Sequence, residues 1–88
     1  MKTWRKQPND HIDYDLLFAD WLAEGDEVVS VDAVAPDGIE ITQVGIEPGR
    51  VKIWVRGGTN GQTYKFSPLI HTQSRVKEVD FMITVVEM

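Results

Sequence analysis

Val51-Lys52-Ile53-Trp54-Val55-Arg56-Gly57-Gly58-Thr59-Asn60-Gly61-Gln62-Thr63-Tyr64-Lys65-Phe66 reads as a strand, a glycine-rich reversal and a second strand. Val51, Ile53 and Val55 alternate with Lys52, Trp54 and Arg56, the period-two pattern of a strand with one buried face. On a helix the same apolar residues would be scattered around the circumference. Gly57, Gly58 and Gly61 supply backbone freedom where the chain must reverse. With the valines and isoleucine inward, Trp54 points outward beside Lys52 and Arg56. An outward tryptophan between cations is a candidate binding hot spot, and it could equally pack under a loop or stack on a sugar.

Working outward, Thr63 to about His71 continues the second strand, with Pro68 forcing an edge, a bulge or a break because it removes a ladder donor. Thr72–Arg75 is a polar hairpin tip, and Val76–Val86 is the last strand. Upstream, Gly45–Arg50, with Pro48-Gly49, and Ala35-Pro36-Asp37-Gly38 are turns, flanking a strand that contains Ile39, Ile41 and Val44. Glu27–Val34 is a β-branched strand whose register stays open. Asp13–Phe18 is a first strand, followed by a short helical turn over Ala19–Ala23 in which Trp21-Leu22 plugs one end of the core. Residues 1–10 form a flexible N-terminal arm, and its Trp4 either packs back onto the domain or meets a partner. Residues 11–88 form a single domain. Short strands at regular spacing between Pro and Gly turns argue an all-β, antiparallel β-sandwich.

The chain has 88 residues, room for one domain, and 42% hydrophobic residues, ordinary for a folded protein. It has no cysteine, which removes disulfides, thiolate metal sites and a cysteine nucleophile. Its net charge of -5, with dispersed Lys and Arg, disfavours nucleic acid as a partner. No apolar run forms a signal peptide or a membrane span, so synthesis and folding in the cytoplasm are expected.

Catalytic constellations are weak. His11 and His71 lie far apart in sequence, outside any metal-ligand spacing. Ser30, Ser67 and Ser74 lie outside a GxSxG context. A carboxylate-based hydrolase is a distant option, since a small sandwich rarely offers a deep cleft. Asp10, Asp13, Asp15, Asp26 and Asp37 lie near strand ends, where calcium could be held, but without an EF-hand pattern. The glycine turn does not open a helix and lacks the Lys-Ser/Thr of a phosphate loop. The expectation is a non-enzyme without cofactor or metal. Its candidate partner-binding residues are Trp54, Lys52, Arg56 and Trp4.

Asp13-Tyr14, then Asp20-Trp21-Leu22-Ala23-Glu24-Gly25-Asp26, then Val55-Arg56-Gly57-Gly58-Thr59-Asn60-Gly61-Gln62-Thr63-Tyr64 recur in an order that resembles the small immunoglobulin-like proteins encoded among the structural genes of tailed bacteriophages and prophages. The likeness spans about Pro8 to Glu87. It implies an immunoglobulin-like (fibronectin-III-like) sandwich of about seven strands. The implied role is structural or accessory, in a virion or its assembly, through contacts with other phage structural proteins or with itself. The implied setting is a bacterial cytoplasm and then a virion. Ala33 stands where family members carry an aromatic, which implies that large core residues are redistributed to Trp21 or Trp54. The alternative role is a small module that binds a surface glycan through exposed aromatics.

Overall fold

The computed structural model describes residues 2–87; Met1 and Met88, the ends of the expected arm and domain, lie outside the described residues. It contains β1 (Lys2–Lys6), β2 (His11–Leu17), β3 (Val28–Asp32), β4 (Ile39–Glu47), β5 (Arg50–Gly57), β6 (Thr63–Phe66), β7 (Leu69–Thr72), β8 (Val76–Glu78) and β9 (Phe81–Val85). No helix occurs among the described residues. The strands form three sheets ordered β1-β9-β6, β2-β5-β4 and β3-β7-β8, every pairing antiparallel except β1 with β9. The molecule is elongated, 42 × 19 × 17 Å.

The stretch that decides the fold sits where its alternation requires. β5 is the central strand of its sheet, with Ile53 opposite Tyr14 on one side and Val44 on the other. Val51, Ile53 and Val55 are at most 1% exposed, and Trp54 is half-buried on the opposite face. The reversal after β5 needs its glycines. Gly58 has φ +96°, and a Cβ there would meet Val85 Cγ2 at 2.6 Å.

Proline and bulges account for most departures from simple alternation. Pro68 divides the expected fifth strand into β6 and β7, and Val79-Asp80 divides the expected last strand into β8 and β9. The register does not slip across this break. Phe66 faces Phe81, the Val79 N–H donates to the Pro68 carbonyl at 3.0 Å, and Leu69 faces Glu78. The four segments are thus one kinked hairpin shared between two sheets. In β4 the extra residue Thr42 resets the phase, so Ile41 and Val44 both pack against the core and the strand runs to Glu47. A similar irregularity at Val29 settles the register of the 27–34 stretch: Val28 and Val31 pack inward while Val29 is exposed.

Two expectations need correction. Residues 2–6, read as a flexible arm, form β1, paired in parallel with β9 so that Trp4 lies opposite Ile83. Trp4 stacks on Tyr14 at 4.8 Å and meets Phe81 edge-on at 5.2 Å, packing of the kind that holds aromatic pairs. Lys6 is 2% exposed, and its ammonium donates to the carbonyls of Gln7, Pro8 and Gly57. Burial lowers its pKa, with the Asp10 charge opposing. No hairpin turn announces a parallel strand, which is why residues 2–6 looked unpaired. The second correction concerns the helical turn expected over Ala19–Ala23. The Phe18 carbonyl accepts from the N–H groups of Trp21 and Leu22, but the chain turns again at Gly25 without propagating a helix.

The core runs through all three sheets. Tyr14, Phe18, Tyr64, Phe66 and Phe81 are its aromatic members, with Phe66 and Phe81 stacked at 4.8 Å. Burial pushes the Tyr14 phenol up to about 12, and its hydroxyl donates to the Arg5 carbonyl, tying β2 to β1. Of the two tryptophans expected to take over core volume, Trp21 packs partly against the core and Trp54 stays outside it.

Candidate functional site

The outer face of β2-β5-β4 carries Lys52, Trp54 and Arg56 side by side, because successive outward positions of one strand lie on one face. Cross-strand neighbours decide what their charges do. Lys52 Nζ donates to Asp13 Oδ2 at 2.9 Å and lies 3.5 Å from Asp15 Oδ1, an ion-pair distance. Arg56 Nε meets Glu40 Oε2 at 3.0 Å. Arg50, one alternation earlier, lies 3.3 Å from Glu47 and 3.7 Å from Asp15. The hydrogen bond from Lys52 holds the Asp13 carboxyl below its ordinary range, and the same bond raises Lys52. This face is a ladder of alternating charges that neutralise one another.

Trp54 sits within that ladder, flanked edge-on by His11 at 5.7 Å. The His11 ring nitrogen is 2.7 Å from the Thr42 hydroxyl, so the bulge residue orients the imidazole that meets Trp54. Trp4 is not part of this face. It belongs to β1, on a different sheet.

Trp4 instead borders a second region. A pocket of about 250 Å³ is lined by Trp4, Leu16, Phe18 and Val79, with Lys2 and Lys77 at its rim. Asp15 and the exposed Leu17 also line it, and Asp15 makes its ion pairs with Lys52 and Arg50. Lys2 Nζ lies 5.4 Å from the Trp4 ring. Lys77 Nζ lies 5.4 Å from the Trp21 ring, over which the Arg75 guanidinium sits at 4.1 Å. Arg75 also donates to the Trp21 carbonyl at 2.9 Å. Reading the sequence alone separated these residues, since Trp4 and Trp21 lie far from the 75–77 segment; only the parallel β1–β9 pairing and the kinked hairpin bring them together.

The remaining polar groups are structural. Asp26 accepts from the Ser74 hydroxyl and the N–H groups of Glu27 and Gln73 at 2.9–3.1 Å, clasping the 19–27 loop to the β7–β8 tip. Burial would raise its pKa, but these bonds, with one from Thr72, lower it on balance. A concavity of about 670 Å³ lies between that loop and the β4–β5 hairpin. Two of its carboxylates are engaged, Asp26 in that clasp and Glu47 with Arg50. His71 pairs with Asp32 at 2.8 Å, far in sequence from His11. Among the described residues, no group of three or more His, Asp or Glu side chains could hold a metal ion.

Residues 6–84 match the family model described as podophage GP4 fiber-tail adaptor protein gp77, and the chain belongs to that family. No curated protein matches it.

Proposed function

We propose that this member of the fiber-tail adaptor family is a non-enzymatic structural component of a podophage virion, held in place by protein–protein contacts where fibers meet the tail. The observation that carries this reading is the family match over residues 6–84, nearly the whole chain. The ladder of ion pairs around Trp54 supports it, since a rigid, self-neutralised sheet face with a central tryptophan suits contact with another protein. On this reading Trp54, with Lys52 and Arg56 bracing it, is one of the chain's contact surfaces.

We further propose an immunoglobulin-like sandwich. If β6 with β7 and β8 with β9 are each counted as one kinked strand, seven strands remain. They would form a layer of β1, β9/β8, β6/β7 and β3 facing the layer β2-β5-β4.

Quantitative mass spectrometry of purified particles tests the role. The chain is expected at a fixed ratio to the tail proteins. Clean particles that lack it at any ratio would remove the virion reading while leaving the fold untouched.

A further inference from the structure

Seven of the chain's nine cations fall into two groups; Arg5 and the buried Lys6, which also make no ion pair among the described residues, lie outside both. Arg50, Lys52, Arg56 and Lys65 each lie within 4 Å of a carboxylate. Lys2, Arg75 and Lys77 make no ion pair among the described residues. These three are not scattered. Lys2 and Lys77 line the apolar pocket of Trp4, Leu16, Phe18 and Val79, and Lys77 also reaches the Trp21 ring, over which Arg75 sits. In a chain of net charge -5, carboxylates were available to pair with them, as they do with the other group.

We infer that this pocket is a docking site for an acidic segment of a partner protein, with one aliphatic or aromatic side chain in the pocket and its flanking carboxylates on Lys2, Lys77 and Arg75. Three physical features fit that occupant. The pocket, about 250 Å³, has an apolar lining that includes Trp4, and Lys77 links it to the Trp21–Arg75 stack; tryptophan and arginine are residue types that dominate interface energetics. The cations are free to accept carboxylates without breaking an internal pair. The cation–π contacts hold Arg75 and Lys77 in position before binding, which reduces the ordering cost. A basic partner does not suit the site, because it meets the like charge of Lys2, Lys77 and Arg75.

The inference rests on the virion reading and names the chemistry of one contact within it. The test uses particles made without this chain, to which the purified chain is added. Bound chain is quantified, then treated with a carbodiimide, which joins an amine directly to a touching carboxylate. The wild type is expected to bind, and Lys2 or Lys77 to be cross-linked to an Asp or Glu of another virion protein. The Lys2→Ala/Lys77→Ala variant is expected to bind about tenfold less or weaker still, with an unchanged unfolding midpoint. Wild type that fails to bind the particles overturns the virion reading, and this inference with it. Wild-type binding that the double variant matches overturns the pocket alone. So does a Lys77 cross-link that leads only to a second copy of this chain.

Discussion

The face of β2-β5-β4 and the pocket beneath Trp4 both combine tryptophan with cations, yet the cations face different things. On the first, Lys52 and Arg56 look across to Asp13 and Glu40 on neighbouring strands. At the second, Lys2 and Lys77 look onto aromatic rings and solvent. The difference follows from topology. Lys52 and Arg56 lie on a central strand, where cross-strand neighbours on both sides can be carboxylates. Lys2 and Lys77 lie on β1 and β8, strands at the ends of their sheets with a hydrogen-bonded neighbour on one side only. The central-strand cations Lys52 and Arg56 serve the fold; of the edge-strand cations, Lys6 is buried among carbonyls and Lys65 lies 3.9 Å from Asp80, which leaves Lys2, Lys77 and Arg5 without a carboxylate partner among the described residues.

That contrast can be broken from its foundations upward. Phe81 is 0% exposed, stacks on Phe66 and backs Trp4, so Phe81→Ala should remove the support of the pocket. A loss of about 3–5 kcal/mol in urea unfolding is expected, with Trp4 fluorescence shifting toward that of a solvated indole. Lys6→Met keeps the buried stem but leaves the Gln7, Pro8 and Gly57 carbonyls without their ammonium donor. It should cost about 1–3 kcal/mol in the same assay, and the loss should fall on the N-terminal strand first in hydrogen exchange.

Acid should separate the regions next. Asp13 on the ladder and Asp26 in the loop clasp both have folded carboxyls below the ordinary value of 3.8. Their contributions are therefore complete above about pH 4 and are lost as pH falls through the lower folded values. Asp26→Asn should flatten the acid limb of a stability–pH curve. Asp13→Asn should flatten it less, and its effect should shrink in high salt because that pair is surface-screened. No such acid limb is expected from the Trp4 pocket, whose rim cations carry no internal carboxylate partner.

Much of the fold is legible in the sequence, and the Val51–Phe66 stretch is why. Strict alternation plus three glycines at a reversal allow one local structure, and Pro68 marks the kink where it occurs. What escapes is whatever depends on residues distant in sequence. β1 pairs in parallel with the far end of the chain, and no turn chemistry between them can advertise that. The Thr42 bulge shifts the alternation, so the continuation of β4 through Gly45 to Glu47, read as part of a turn, was hidden. The candidate residues divide along the same line. Lys52, Trp54 and Arg56 share a strand, so their common face could be read directly. Their carboxylate partners, on β2 and β4, could not be assigned without the strand register. Trp4 was singled out as an aromatic that either packs back onto the domain or meets a partner, but its place in one pocket with Lys77 exists only once the kinked hairpin is folded.

The most direct measurement compares two variants with the same change in charge. Lys52→Gln/Arg56→Gln removes two cations from the ladder, and Lys2→Gln/Lys77→Gln removes two from the pocket. Each is assayed for unfolding midpoint and for addition to particles that lack the chain. The ladder variant is expected to unfold slightly earlier and to keep most of its binding, since Trp54 itself stays in place, and the pocket variant to keep its stability and fail to bind. The reverse pattern, with binding lost from the ladder variant and kept by the pocket variant, would contradict the division of roles between these two regions.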